Sequence, residues 1–282
     1  MVKIIADSTC DLSPELATKY DIDILPLHIL LGEDEYEDGK NVTPEEIFSW
    51  SDEHKTTPKT SAPSLADAIE LFRPYVEAGR EIICFSISSS MSTSNNVMRI
   101  AAEELEATER ITVIDSANLS TGIGLLVVEA AIMAQNNHTA AEITSVIEKL
   151  KPNVRASFVV DTLIYLYRGG RCNAVAAMAG GVLKLHPKIV VENGAMNASK
   201  KYRGKINSAI MSYVKDMEKD LQSARPDRVF ITHSGCDHAI VEAVGEYLES
   251  LGVFSEILET RAGGVISSHC GPGTLGVLYI SK

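Results

Sequence analysis

Six hydroxyl side chains crowd into nine positions in "ISSSMSTSN", residues 87–95: Ser88, Ser89, Ser90, Ser92, Thr93 and Ser94. Three chemistries fit such a run. One serine could be a nucleophile, the group could cradle an anion, or the segment could be a polar loop that caps a helix. Serine hydrolases set the nucleophile in G-x-S-x-G on a strained turn. No such pentapeptide surrounds these residues, and no spacing places a histidine base beside them. The anion reading has better support, because the loop runs into a helical pattern, "NNVMRIAAEELEA". A helix N-terminus offers unpaired N–H groups and about half a positive charge.

Other candidates are weaker singly. "HSGCDH" (233–238) holds His233, Cys236, Asp237 and His238, but a zinc site normally adds a second ligand pair elsewhere. Asp237 as a helix cap and His233 as a strand end explain the segment better, so no metal is expected. "STGIG" (120–124) is glycine-containing but matches neither phosphate-binding loop pattern. "RGGR" (168–171) reads as a helix end bearing Arg171, and "GPG" (271–273) as a rigid turn after His269.

Alternating elements must position these groups. "VKIIADS" is a buried strand, "SPELATKY" a helix capped by Ser13 with Pro14 in its first turn, and "DILPLHILL" the next strand. "TPEEIFSWSDEH" is a helix and "PKTSAPS" a loop. Ser64 caps "LADAIELFRPYVEAG", which stops at Gly79. "EIICFSIS" and "RITVIDS" are strands, and a long helix spans about 119–136. This alternation predicts a parallel sheet covered on both faces. The polar loops "DSTCD", "SSSMSTSN" and "DSANLSTG" then share one sheet edge, where ligands bind in such folds.

Beyond a helix from Thr139 to about Leu150, the pattern changes. "RASFVV" is a strand, "TLIYLYRGGR" a short helix, and "NAVAAMAGGVLK" a helix of small residues. "PKIVVENGAMNASKKY" is a hairpin turning at Asn193-Gly194. Helices at 204–222 and 238–250 and strands "RVFITHS", "VFSEILET" and "GVLYIS" follow. The expectation is two α/β domains, 1–155 with a mostly parallel sheet and 156–282 with a mixed sheet, enclosing a ligand between them.

The 282 residues carry a formal charge of −12. That opposes nucleic acid, which needs clustered Lys and Arg, and passive adhesion to anionic lipid. No apolar run reaches the roughly 18 residues of a membrane span, the run from Ile123 to Ala134 being broken by Glu129. Five scattered cysteines without a C-x-x-C fit reduced thiols. With no signal-peptide pattern at the start, a cytoplasmic location is expected.

In order along the chain stand "ADSTCDL", "PKTSAPS" (58–64), the serine-rich loop and "VIDS" (113–116). "LIYLYRGGR" (163–171), "LKLHPKIVVENG" (183–194) and "ISSHCGPGTLG" (266–276) follow. Together they resemble the DegV family of bacterial fatty-acid-binding proteins, over about residues 3–281. The resemblance implies one long-chain fatty acid (C14–C18) held between two α/β domains as ligand, with no cofactor and no metal. It places the carboxylate on Thr60 and Ser92, with Ser61, Thr93, Arg171 and His269 as secondary residues and the tail in an apolar tunnel of the second domain. The small-residue helix (Ala174, Ala176, Ala177, Ala179, Gly180, Gly181) and Met91, Met98 and Met178 are candidate tunnel walls, although close packing and plain core explain them equally well.

The resemblance also implies a binding protein, not an enzyme by itself, whose partner is a separate fatty acid kinase that makes acyl phosphate for phospholipid synthesis. A stand-alone serine hydrolase or phosphotransferase using the Ser88–Ser94 loop is the competing reading. The chain departs from the family pattern twice. Thr93 stands where glycine is usual, which would restrict the backbone beside the head group, and His186 stands where a lysine commonly precedes the proline.

Overall fold

The computed structural model describes residues 1–172 and 185–282. The first sheet is fully parallel, in the order β2–β1–β6–β7. Its strands are β1 (Lys3–Asp7), β2 (Ile22–Leu25), β6 (Ile82–Ser86) and β7 (Ile111–Asp115). β1 and β6 are buried at every position, as parallel strands covered on both faces must be. A small antiparallel sheet, β4–β3–β5, joins β3 (His28–Leu31), β4 (Asp34–Glu37) and β5 (Lys59–Ser61).

The third sheet runs β10–β9–β8–β13–β11–β12. It comprises β8 (Val154–Val159), β9 (Leu185–Glu192), β10 (Ala195–Arg203), β11 (Ala224–Ser234), β12 (Glu256–Arg261) and β13 (Thr274–Ser281). β11 and β12 pair in parallel and the other pairs are antiparallel. The molecule is therefore two α/β domains, the first built on a mostly parallel sheet and the second on a mixed one.

The helices are α1 (Pro14–Lys19), α2 (Pro44–His54), α3 (Leu65–Glu77), α4 (Ser94–Glu104), α5 (Thr121–Gln135) and α6 (Ala140–Leu150), then α7 (Ile164–Gly169), α8 (Ile206–Asp216), α9 (Glu218–Gln222), α10 (His238–Ser250) and α11 (Gly264–Cys270). Their starts follow the cap chemistry of the sequence. The Ser13 hydroxyl accepts from the Leu16 N–H, and Thr43, Ser64 and Thr139 each close a capping box.

Several expectations need correction. "DILPLHILL" is not one strand, because Pro26 lacks the N–H a ladder needs; β2 and β3 fall on either side of it in different sheets. "PKTSAPS" is not all loop, since Lys59–Ser61 pairs with β3 as β5. The segment 204–222 splits at Met217 into α8 and α9. Asp237 occupies the cap position of α10, but its side chain makes no cap bond. The small-residue helix and Met178 lie outside the described residues.

α5 ties the two large sheets together. It is buried almost all round, as a helix apolar on every face must be. It touches β1 and β6 on one side and β8 and β13 on the other. One hydrophobic core consequently runs from Ile4, Phe85 and Ile114 through Leu126 and Ile143 to Phe158, Ile189 and Leu278. The one charge on the inner run of α5, Glu129, is matched by Arg228 of β11, Nη1 to Oε1 2.6 Å.

Candidate functional site

The "DSTCD" turn after β1 organises the site. Asp7 accepts the Ile87 N–H at 2.9 Å, fixing the start of the serine loop, and also holds Thr9. Asp11 accepts from the Ser120 hydroxyl (2.6 Å) and the Gly263 N–H (2.8 Å). Asp38 accepts from the Ser8 hydroxyl (2.8 Å) and the Gly264 N–H (2.7 Å). Two carboxylates of the first domain thus receive the N-terminus of α11, where negative charge and acceptors are both favourable. Burial pushes all three carboxyls above their usual range, Asp7 to about 6, although the donated hydrogen bonds act in the opposite direction.

Held at its start, α11 presents His269 in its last turn. His269 Nε2 lies 2.8 Å from the Thr60 hydroxyl on β5. Thr60 pairs with the buried Ile29 across the ladder, whereas Ser61 pairs with His28. Pleating therefore points Thr60 and Ser61 to opposite faces, and the Ser61 side is exposed. His269 Nδ1 is buried without a partner, because Gly169 packs against it. A Cβ at Gly169 would lie 2.3 Å from that nitrogen.

Burial, reinforced by the positive charge of Arg171, holds the His269 imidazole down at about 4, so it is neutral near pH 7. An orphaned buried N–H is costlier than an orphaned acceptor. The proton therefore belongs on Nε2, which donates to the Thr60 oxygen. The hydrogen of Thr60 is then free to donate to another acceptor. Arg171 is exposed, and its Nη1 donates to the Gly169 carbonyl at 2.6 Å, below the left-handed cap at Gly170.

The serine loop divides its hydroxyls by task. Ser88 donates to the Gly194 carbonyl at 2.7 Å, and Ser90 donates to the same oxygen. Gly194 and Asn193 are both left-handed, at φ 77° and 51°, as the tight β9–β10 turn requires. Ser89 donates to Asp115 at 2.5 Å. The Ser92 and Ser94 hydroxyls lie 2.8 Å apart, and the Ser94 N–H points to the Ser92 oxygen at 3.3 Å. Thr93 stands at the N-cap position of α4 without a side-chain cap bond, at φ −88°, a conformation any residue adopts, so its β-carbon brings no backbone strain.

Thr60, Ser92, Thr93, Arg171 and His269 all line one cavity of about 460 Å³, which Ser61 also borders although its side chain turns to the other face of β5. That volume lies in the range of small-molecule sites. Apolar side chains complete the wall: Met91 of the serine loop, Phe158 and Leu278 of the mixed sheet, Met196 of β10, Leu166 of α7 and Ile266 of α11. Met98 is instead fully buried in the core beside β6. Asp11, Asp38 and the Ser88–Gly194 clasp are positioning groups that spacing alone did not reveal. Their only trace was a polar loop after each strand.

The remaining motifs have structural roles. His233 Nδ1 lies 3.4 Å from the Cys236 N–H and its Nε2 faces Glu259 at 3.3 Å, while the Cys236 thiol reaches the Thr274 carbonyl at 3.3 Å. His233 and Cys236 of "HSGCDH" are thus engaged within the second domain, and His233 also borders the cavity. His186 is buried with its nitrogens on the carbonyls of Gly204 (3.0 Å) and Val160 (3.3 Å). Among the described residues, Thr60 with His269 approaches a nucleophile–base pair, but a triad also needs an orienting acceptor at Nδ1, and Gly169 occupies that side.

These features define a two-domain α/β protein whose strand ends and α11 enclose a cavity walled by both hydroxyl and apolar side chains. The family model described as "Uncharacterised protein, DegV family" matches residues 1–282, and the chain belongs to the DegV family. It is similar to a fatty acid-binding protein of Thermotoga maritima, at 30% identity over 285 residues, covering 98% of this chain and 96% of that protein. Among solved structures it is similar to a DegV family protein of Thermus thermophilus described by its fatty acid binding, at 29% identity and a TM-score of 0.91. A stearic acid-binding protein of Eubacterium ventriosum matches at 29% identity and a TM-score of 0.87. Both structural matches cover 100% of this chain and 99% of the other. Among the described residues, no helix is long and apolar enough to cross a membrane.

Proposed function

We propose that this protein binds one long-chain fatty acid, with the carboxylate at Thr60 and Ser92 and the tail along the apolar wall. The observation that carries this reading is a single cavity joining hydroxyl donors to Phe158, Leu166, Met196 and Leu278. Thr60, with His269 donating to its oxygen, has its own hydrogen available for an anion. Each charge-assisted hydrogen bond is worth roughly 1.5–3 kcal/mol. A tail of about 14 methylenes adds at most about 11 kcal/mol gross, at about 0.8 kcal/mol per buried CH₂, and association and chain ordering subtract much of that. The relatives named for fatty acid binding support the same ligand.

We further propose that the protein is not an enzyme by itself but presents its fatty acid to a separate fatty acid kinase in the cytoplasm. The product, an acyl phosphate, would feed phospholipid synthesis. The exposed Arg171 beside the head-group residues supports this division, and five scattered cysteines without a C-x-x-C fit a reducing compartment. Mass spectrometry of the purified protein, native and then after organic extraction, tests the binding role. One equivalent of a C14–C18 fatty acid is expected; an apo mass with no uptake of added oleate or palmitate refutes it. With a fatty acid kinase and ATP, Arg171→Ala should lose acyl phosphate formation more than fatty acid retention. Equal loss of both removes the presenting role.

A further inference from the structure

The small sheet has a second face. There His28 of β3 and Glu37 of β4 are direct cross-strand partners, which sets their β-carbons about 5 Å apart. Asp67 reaches the same point from the first turn of α3. One ligand atom from each of the three lies within 4.8 Å of the others, and all three residues are half-buried. His28 Nε2 faces Asp67 Oδ2 at 3.0 Å, and Nδ1 faces Glu35 Oε1 at 2.6 Å. The ring is thus held between two carboxylates, one on each nitrogen.

We propose that His28, Glu37 and Asp67 form a divalent metal site suited to Zn²⁺, with Glu35 holding the His28 ring. One imidazole nitrogen and two carboxylate oxygens at about 2.0–2.2 Å make a three-ligand zinc set with a fourth position for water. The set offers too few oxygens for calcium, which takes 6–8. The metal would take Nε2 in place of its contact with Asp67 Oδ2. Nδ1–H continues to donate to Glu35, the carboxylate–histidine–metal arrangement that fixes ring and tautomer. Ser64 and His28 both use Oδ2 of Asp67, leaving Oδ1 for the ion. Lys40, 2.8 Å from Glu37 Oε2, is the cation the metal competes with.

The ion would brace β3, β4 and the start of α3 beside β5, the strand that carries Thr60. The site is independent of the proposed fatty acid, whose content is measured separately.

The test is titration of EDTA-stripped full-length protein with Zn²⁺ by calorimetry and with Co²⁺ by visible absorption. One equivalent of Zn²⁺ is expected. His28→Ala and Glu37→Gln should each weaken binding at least about tenfold, and Glu35→Gln, which acts only through the ring, by about tenfold. Exposed Lys40→Ala should tighten it. No zinc uptake, tighter binding of Mg²⁺ or Ca²⁺ than of Zn²⁺, or uptake unchanged in both His28→Ala and Glu37→Gln overturns the site.

Discussion

The Thr60–His269 pair concentrates the chemistry of the cavity into one 2.8 Å contact. Thr60→Val keeps the volume and removes the hydroxyl, so it deletes the proposed anion donor and strands Nε2 of His269. Fatty acid affinity should fall roughly 10- to 100-fold, the worth of one charge-assisted bond. A displacement assay with a fluorescent fatty acid measures it, and unchanged affinity would remove Thr60 from the head-group site. The histidine also has a pH signature. Its pKa falls from the usual 6.5 to about 4 on folding, so the unfolded chain takes up a proton that the folded chain refuses. Its contribution is full above about pH 6.5 and is lost as pH falls towards 4. Asp7 works the other way, because its pKa rises from 3.8 to about 6; its contribution is present below 3.8 and lost as pH rises through 6. His269→Gln should therefore flatten the acid-side fall in melting temperature between pH 6.5 and 4. Parallel wild-type and variant curves would show that His269 is not the titrating group.

At the scale of elements, α11 is seven residues long, too short to hold itself. Its start is secured by Asp38 and Asp11, and its position sets His269. Asp38→Ala removes the acceptor of the Gly264 N–H and strands the Ser8 hydroxyl. The expected cost is about 2 kcal/mol, or a fall of roughly 5 °C in melting temperature, accompanied by weaker fatty acid retention. Loss of stability with full retention would mean that the anchoring of α11 does not govern the site. The β9–β10 turn plays a matching part from the second domain, since its Gly194 carbonyl is what Ser88 and Ser90 grip. Two of the six hydroxyls of the serine loop are thus spent on joining the domains and Ser89 on Asp115, which leaves Ser92 and Thr93 at the cavity.

At the scale of the molecule, the two sheets share α5 and one continuous core, so the ligand cavity lies inside a unit rather than across a loose hinge. The Glu129–Arg228 pair fastens α5 to the mixed sheet. Arg228→Ala leaves a largely buried carboxylate with only the longer 3.5 Å contact to Arg225, at a cost of about 3 kcal/mol. The double variant Glu129→Leu/Arg228→Leu should recover most of that loss in denaturant unfolding. A double variant as unstable as the single one would mean that the pair is not what matters there.

Local physics made much of this legible from sequence. Caps at Ser13, Ser64 and Thr139, the Asn193-Gly194 turn and the change from parallel to mixed strand patterning each depend on residues within a few positions of one another. Thr60, Ser92, Arg171 and His269 were reachable through ordered motifs resembling a known family. Apart from the break at Pro26, which is local, errors arose where partners are remote. β5 exists because β3 pairs with it, and α11 is set in place by two carboxylates more than 200 positions earlier in the chain. By itself, the sequence determined most of the elements, the sheet edges that carry polar loops and the residue types that line the cavity. Only the tertiary structure decided which hydroxyls are spent on Gly194 and Asp115, which nitrogen of His269 carries the proton, and that Thr93 sits without strain. Those outcomes depend on burial and on distances between segments far apart in the chain, which no local pattern encodes.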